Sequence, residues 1–287
     1  IHSKEIAYLP EHYEKITTHW LENIIDWNIS RQIVWGIPIP AKICESCGEG
    51  MVDLENTISS CLKCGGSVRE DSDTFDTWFS SSQWPFATLQ SLGEKDFKTF
   101  YPTDIMETAG EIIFFWVSRM LMLGLYSTGE LPFKTIYLHG LILDAKGQKM
   151  SKSKGNVTNP MELTAQYGTD ALRIALVIGN TPGTSLALST DKIKGYKNFA
   201  NKVWNIARFV LSQENSGEIK EDLKTEFEAL TKEITDDMEN YRFYLAAEKI
   251  YAYIWHRLAD EIIEESKGKE DYRATLYYLL ENSLKLL

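Results

Sequence analysis

Between Gly147 and Gly155 the chain reads Gly-Gln-Lys-Met-Ser-Lys-Ser-Lys-Gly, so Lys149, Met150, Ser151, Lys152 and Ser153 lie inside a pair of glycines. Those five residues carry two ammonium groups and two hydroxyls, and Lys146 and Lys154 stand just outside. Glycine at either end lets the backbone enter the positive-φ region and swing. Upstream, Thr135-Ile136-Tyr137-Leu138-His139-Gly140-Leu141-Ile142-Leu143 predicts a strand. Downstream, Asn159 as N-cap and Pro160 at the first helical position predict a helix. A basic loop between a buried strand and a helix suits the charge of a polyphosphate leaving group. The plainer alternative is a solvated turn that happens to hold lysines, since charge runs are usually solvated faces. Neither a Walker loop nor a Gly-x-Gly-x-x-Gly fingerprint occurs, so the common nucleotide-binding motifs do not compete.

A length of 287 residues suffices for one large domain or two modest ones, and 44% hydrophobic with 25% charged residues is ordinary globular composition. No apolar run approaches the roughly 18 to 20 residues that span a bilayer, so no membrane partner is expected. The start, Ile1-His2-Ser3-Lys4-Glu5, has no signal-peptide pattern, which predicts a cytoplasmic protein; Ile rather than Met suggests that something upstream has been removed. The net charge of -11 argues against a nucleic-acid partner, but its distribution argues otherwise. From Lys149 to Val210 nine basic residues face three acids, a local +6 in a chain whose remainder is -17. Such a segment can leave a phosphate footprint inside an acidic protein.

All four cysteines fall in two pairs, Cys44-x2-Cys47 and Cys61-x2-Cys64, each followed by glycine where a knuckle turn needs an unhindered backbone. This spacing predicts a closed four-thiolate site for structural Zn2+ over residues 44–64. Two disulfides or free thiols are the alternative, disfavoured by a reducing compartment. Some twenty residues cannot build a core alone, so the metal is expected to fold them. Farther on, Tyr196, Phe199, Val203, Ile206 and Val210 form an apolar helical stripe, and Lys194, Lys197, Asn201, Asn205 and Arg208 a polar one. A basic helix face suits RNA phosphates, though most such faces are merely solvated.

Lys149-Met150-Ser151-Lys152-Ser153 resembles the second signature of the class I aminoacyl-tRNA synthetases. Trp27-Asn28-Ile29-Ser30-Arg31-Gln32 resembles an active-site segment of the valyl, isoleucyl and leucyl members, with Asn28 where they usually show Cys. Asp73-Thr74-Phe75-Asp76-Thr77-Trp78-Phe79-Ser80-Ser81 and Glu107-Thr108-Ala109-Gly110-Glu111-Ile112-Ile113-Phe114-Phe115-Trp116-Val117-Ser118-Arg119 look like the bacterial valyl branch. By that resemblance Trp78, Ile112 and Trp116 line the amino-acid pocket with Glu111, whose counterpart is usually Asp. His139 and Gly140 resemble the adenine-side contact; Met150, Ser151 and Ser153 complete the ATP loop, and Lys149 and Lys152 act on the leaving pyrophosphate. Lys197-Asn198-Phe199-Ala200-Asn201-Lys202-Val203-Trp204-Asn205 and Ile250-Tyr251-Ala252-Tyr253-Ile254-Trp255-His256-Arg257 resemble helices of the anticodon-binding bundle, which would put Lys194, Lys197, Asn201 and Arg208 on tRNA.

The implied fold class is α/β, the C-terminal half of a Rossmann-like class I catalytic domain with a zinc-knuckle insertion, followed by an all-α anticodon-binding bundle. The turn Gly179-Asn180-Thr181-Pro182-Gly183 puts the boundary near 185, giving domains 1–185 and 186–287 with the loop at 147–155. The first class I signature, His-x-Gly-His, is absent, since no two of His2, His12, His19, His139 and His256 stand that close. No length remains for an editing domain, and Leu287 is expected to stop inside the bundle. The implied activity is valine activation with ATP and Mg2+ and transfer to tRNA-Val, with little turnover without a separate N-terminal half. An isoleucyl fragment and a non-catalytic tRNA-binding relative are the alternatives.

Overall fold

The computed structural model describes residues 5–214 and 216–287, and the chain divides into two units, Ile1–Leu138 and His139–Leu287. The first unit opens with β1 (Ala7–Leu9), α1 (His12–Glu22) and β2 (Ser30–Arg31). Three short strands follow, β3 (Ala41–Cys44), β4 (Gly50–Val52) and β5 (Val68–Glu70), forming an antiparallel sheet of order β4-β3-β5. Then come β6 (Thr74–Phe75), α2 (Thr77–Ser81), α3 (Trp84–Leu92), α4 (Glu94–Phe100) and β7 (Thr103–Ala109). A continuous helical run starts as a 3-10 turn (Gly110–Ile112), passes through a π-helical turn (Ile113–Val117) and becomes α5 (Ser118–Thr128) before β8 (Phe133–His139).

β8 is central in a sheet of order β1-β8-β7, parallel to β1, with Tyr8 opposite Ile136. Phe133, Thr135, Ile136 and Leu138 are all buried, the apolar density expected of a strand covered on both faces. Ile113, Val117, Met120 and Leu121 of the helical run pack against Ile6, Tyr8, Phe133, Ile136 and Leu138 to make this unit's core.

Two elements differ from the sequence reading. The stripe Tyr13, Ile16, Trp20, Ile24, Trp27 predicts one helix, yet α1 stops at Glu22. Asn23 ends it: its Nδ2 donates to the His19 carbonyl at 2.7 Å and so satisfies an orphan acceptor of the last turn. Trp27 is left outside the helix, where its ring carries the Arg119 guanidinium at 3.6 Å. Likewise the strand expected over 135–143 breaks at Gly140, and its second part, β9 (Ile142–Leu143), pairs in parallel with β10 (Leu186–Ala187).

The second unit continues from β9 through a 3-10 turn (Lys152–Lys154) to α6 (Pro160–Tyr167) and α7 (Thr169–Val177), with β10 ahead of α8 (Thr190–Leu211). Asn159 caps α6, its Oδ1 accepting from the Met161 amide at 3.0 Å as the sequence predicts. Leu163, Ala171, Leu172, Ala175 and Ile193 make a small core. The remainder is helical: α9 (Glu221–Glu239), α10 (Phe243–Ala252), a π-helical stretch (Tyr253–Ile262), α11 (Ile263–Ser266), a 3-10 turn (Glu270–Tyr272) and α12 (Arg273–Leu286). Phe199 and Ile206 of α8, Phe227 of α9, Ile250 of α10, Ile254 and Leu279 meet in one buried cluster.

The α9–α10 turn rests on Asp237, which is 3% exposed and receives Arg242 Nε at 2.7 Å and Lys249 Nζ at 2.9 Å. The Lys249 ammonium and then the Arg242 guanidinium hold its carboxyl below the usual value. A depressed folded pKa gives stability that is complete above the unfolded carboxylate value of about 3.9 and lost as pH falls through the folded value. Asp237→Asn is therefore expected to cost about 2 to 3 kcal/mol at pH 7, less than a fully buried pair because both partners are partly solvated. Thermal melts check this, and the gap from wild type should shrink as the pH approaches 3.

Candidate active site and metal centre

Leu143 and Lys149 bridge across a tight turn in which the Asp144 amide donates to the Gln148 carbonyl at 2.9 Å and the Gly147 amide to the Asp144 carbonyl at 2.9 Å. Gly147 has φ 75° and Gly155 φ 64°, so both hinges use the backbone freedom that the sequence reading requires of them. Lys149 and Ser153 are exposed; Met150 and Ser151 are half-buried. The two serine hydroxyls lie 3.2 Å apart, and the Lys154 amide donates to the Ser151 carbonyl at 3.2 Å. The loop thus presents hydroxyls and the Lys149 ammonium from a hydrogen-bonded frame; the Lys152 side chain lies outside what the structure describes.

His139 ends β8 half-buried, with Nδ1 2.7 Å from the Gly140 carbonyl oxygen. A carbonyl only accepts, so Nδ1 is the donating nitrogen in this contact. Gly140 has a reason of its own to be glycine. A Cβ there would stand 2.0 Å from the Thr184 carbonyl oxygen and 2.5 Å from the Ser185 amide nitrogen, where β9 and β10 begin to pair. Chain packing accounts for this glycine without any ligand.

In the first unit, β2 and β6 pair antiparallel with Ser30 opposite Phe75 and Arg31 opposite Thr74, which joins the Ile-Ser-Arg-Gln string to the Asp-Thr-Phe-Asp-Thr-Trp string. Asp76 is the junction. It is 8% exposed, ion-pairs with Arg31, and caps α2 by accepting from the Trp78 amide at 2.7 Å. Trp78 is half-buried, with its ring 5.7 Å from that of Phe115. Trp116, also half-buried, donates its indole N–H to the Ser81 carbonyl at the end of α2, at 3.1 Å. One short helix thus carries Trp78 and holds the Trp116 indole by its end, Ile112 is half-buried nearby in sequence, and Glu111 is exposed. The sequence reading did not assign a role to Asp76, although an Asp just ahead of a short helical segment is a recognisable N-cap signal.

The cysteines converge. Among the described residues, Cys44, Cys47, Cys61 and Cys64 offer sulfurs all within 4.8 Å of one another, and all four are free thiols. The Cys44–Cys64 and Cys47–Cys64 sulfurs are 3.5 Å apart and Cys47–Cys61 3.7 Å. Disulfide sulfurs would be about 2.05 Å apart. A tetrahedron with Zn–S of about 2.3 Å needs edges near 3.8 Å. The donor set thus fits zinc, and disulfides drop out. Gly48 and Gly65 both adopt φ 73°, and their amides close the knuckles onto the Cys44 and Cys61 carbonyls at 3.0 and 2.8 Å. The Cys47 amide donates to the Cys44 sulfur at 3.4 Å and lowers that thiol's pKa, while the neighbouring sulfurs push Cys47 and Cys64 the other way.

On α8, Lys194, Asn201 and Arg208 are exposed, whereas Lys197 is half-buried and spends its ammonium on the Gln166 carbonyl at 3.0 Å. Trp204, which the sequence reading left unassigned, is 68% exposed on the same helix. Its signal was its absence from the apolar stripe.

Comparison with known proteins gives this geometry a context. Residues 2–189 match the family "tRNA synthetases class I (I, L, M and V)", and residues 221–287 match "Anticodon-binding domain of tRNA ligase". The valine–tRNA ligase of Clostridium tetani is 40% identical over 100% of this chain and 35% of its own length. That of Dehalococcoides mccartyi strain CBDB1 is 43% identical over 100% of the chain and 34% of its own length. The chain thus spans about a third of the length of the curated relatives it matches. Among solved structures, Agrobacterium radiobacter K84 LeuRS, in a ternary complex with tRNA and LeuAMS, superposes with a TM-score of 0.75 at 21% identity over 95% of this chain and 41% of that one. Mycobacterium tuberculosis methionyl-tRNA synthetase, in complex with methionyl-adenylate, gives 0.73 at 20% identity over 99% and 55%. The α/β fold with a helical region after it is the fold of those enzymes, and the chain belongs to the class I tRNA synthetases of the I, L, M and V group.

Proposed function

We propose that this chain is the part of a valine–tRNA ligase that handles the leaving pyrophosphate, part of the amino-acid pocket, and tRNA. The observation that carries this is identity of about 40% along the whole chain to valine–tRNA ligases, with the Lys-Met-Ser-Lys-Ser loop intact. In the proposed reaction the valine carboxylate attacks the α-phosphate of ATP, pyrophosphate leaves, and the valyl group passes to tRNA-Val. Lys149 and Lys152 stabilise negative charge on the departing pyrophosphate; Met150, Ser151 and Ser153 shape the ATP side with His139 and Gly140. Mg2+ arriving with ATP supplies further neutralisation of the phosphates when bound. Trp78, Ile112 and Trp116 form an apolar slot for a short branched side chain, and Glu111 takes the carboxylate position at its rim. Such a slot separates neighbours differing by one methylene by only about 1 to 3 kcal/mol.

Cys44, Cys47, Cys61 and Cys64 hold a structural Zn2+, whose four thiolates leave no position for substrate. Residues 1–185 act as the catalytic portion and 186–287 as the tRNA portion, in the cytoplasm. Lys194, Asn201 and Arg208 contact tRNA phosphates, with Lys197 behind them. Filter binding of tRNA-Val across a salt series tests the tRNA portion. Arg208→Ala is expected to weaken binding and to lower the salt slope by about one. Equal affinity and slope for wild type and variant would contradict the assignment.

A further inference from the structure

Two side chains outside the Lys-Met-Ser-Lys-Ser string hold its backbone. Asp144 lies at the end of β9, half-buried, and its Oδ1 accepts from the Lys146 amide at 2.9 Å and the Gln148 amide at 2.8 Å. Its Oδ2 accepts from Asn156 Nδ2 at 2.9 Å, twelve residues along the chain. Asn156 reaches back over the loop from just beyond Gly155. Its Oδ1 accepts from the Ser151 amide at 2.9 Å, and its Nδ2 also donates to the Lys149 carbonyl at 3.3 Å. This one amide group therefore grips the backbone on both sides of Met150, while the Asp144 carboxylate grips both the turn before Lys149 and the amide group itself. The Asn156 orientation is dictated by its neighbours, because two acceptors surround the nitrogen and one N–H faces the oxygen. The Asn156 bond is the leading cause of the low Asp144 pKa, so the carboxylate form is the one the network favours.

We propose that Asp144 and Asn156 form a clasp that fixes the backbone from Lys149 to Ser151 in the arrangement that offers Lys149 to a bound polyphosphate, which makes both of them positioning residues for that loop. This rests on the reading of the loop as the leaving-pyrophosphate site. Glycine at 147 and 155 gives the segment freedom to swing, and the clasp selects one conformer from that freedom. A carboxylate beside a phosphate site is unfavourable on charge alone, which makes the prediction sharp. Asp144→Asn removes a negative charge, and simple electrostatics would have it bind polyphosphate more tightly. The clasp predicts the opposite. An amide at 144 facing the amide of Asn156 sets N–H against N–H, and flipping Asn156 to relieve that clash turns its nitrogen toward the Ser151 amide. Either way a bond is lost.

The test uses the whole chain with inorganic tripolyphosphate, reading amide hydrogen exchange over 144–156 and affinity by calorimetry. Asp144→Asn and Asn156→Asp are each expected to speed exchange at Gln148 and Ser151 about tenfold and to weaken tripolyphosphate about five- to tenfold, the scale of one lost hydrogen bond. The exchanged pair Asp144→Asn with Asn156→Asp keeps the net charge and regenerates every match except the bond to the Lys149 carbonyl, where oxygen would face oxygen, so both readouts should recover most but not all of what the single variants lose. A merely structural role would not link rescue of the amides to rescue of binding. Single variants that bind as wild type does, or a double variant no better than the singles, would overturn the clasp and leave the proposed function standing. A wild-type loop indifferent to tripolyphosphate would overturn the phosphate reading and the clasp's role together.

Discussion

Cys61→Ala is expected to remove bound zinc from the chain and, with it, the folded state of the segment from β3 to β5. The reason is the size of what remains. Three strands of three or four residues pack over a buried centre consisting of Cys44, Met51 and Cys61, with Ile58 and Val68 partly covered beside it. Two of the three buried side chains are themselves thiols of the site, so the apolar contribution is close to that of one methionine. Sheets of this size are not stable alone. Structural zinc in small peptides contributes about 10 to 16 kcal/mol apparent at neutral pH, enough to decide whether the segment folds. Native mass spectrometry should find one zinc per wild-type chain and none in the variant. Amides that link β3 to its neighbours, such as the Asp71 donor to the Ala41 carbonyl at 2.9 Å, should lose protection while the β1-β8-β7 sheet keeps its own. Protection at 41–70 that survives loss of the metal would show that the segment folds on packing alone.

Lys149→Ala is the second large effect. Supplied with a separate N-terminal half, the variant should lose about 10² to 10³ in ATP–pyrophosphate exchange, the range for removing one preorganised donor from developing charge. Lys149 is exposed, so its deletion should leave the melting temperature within a degree or two of wild type. The kinetic split is informative. A donor that meets charge appearing only in the transition state lowers kcat with little change in KM for ATP, whereas one that merely holds the ground-state nucleotide raises KM. The frame around Lys149, with its neighbouring backbone tied to Asp144 and Asn156, favours the first pattern.

Local chemistry was readable from the sequence where the deciding partners are close along the chain. Gly147 and Gly155 take positive φ, Asn159 caps its helix, and two Cys-x2-Cys-Gly knuckles bring four sulfurs together. Each of those follows from residue type at a fixed offset. Features set by distant partners were not readable. The break at Gly140 falls where a side chain would meet the backbone of Thr184, forty-four residues later, and no periodicity announces it. Asn23 ends α1 inside an apolar stripe that continues through Trp27, its side-chain amide taking the His19 carbonyl. Lys197 shares the basic stripe of α8 but is taken by the Gln166 carbonyl, which only the α6–α8 packing reveals. The Arg31–Asp76 pair joins two strings that are forty-five positions apart and were legible only separately.

On the proposed function, this chain carries the pyrophosphate loop and part of the pocket of a valine enzyme. Amino-acid-dependent ATP–pyrophosphate exchange tests it most directly, with valine, isoleucine and leucine, and with and without the N-terminal half. Exchange with valine is expected once the halves are combined, with little from this chain alone. Preference for isoleucine, or silence in every mixture while tRNA is still bound, would contradict it.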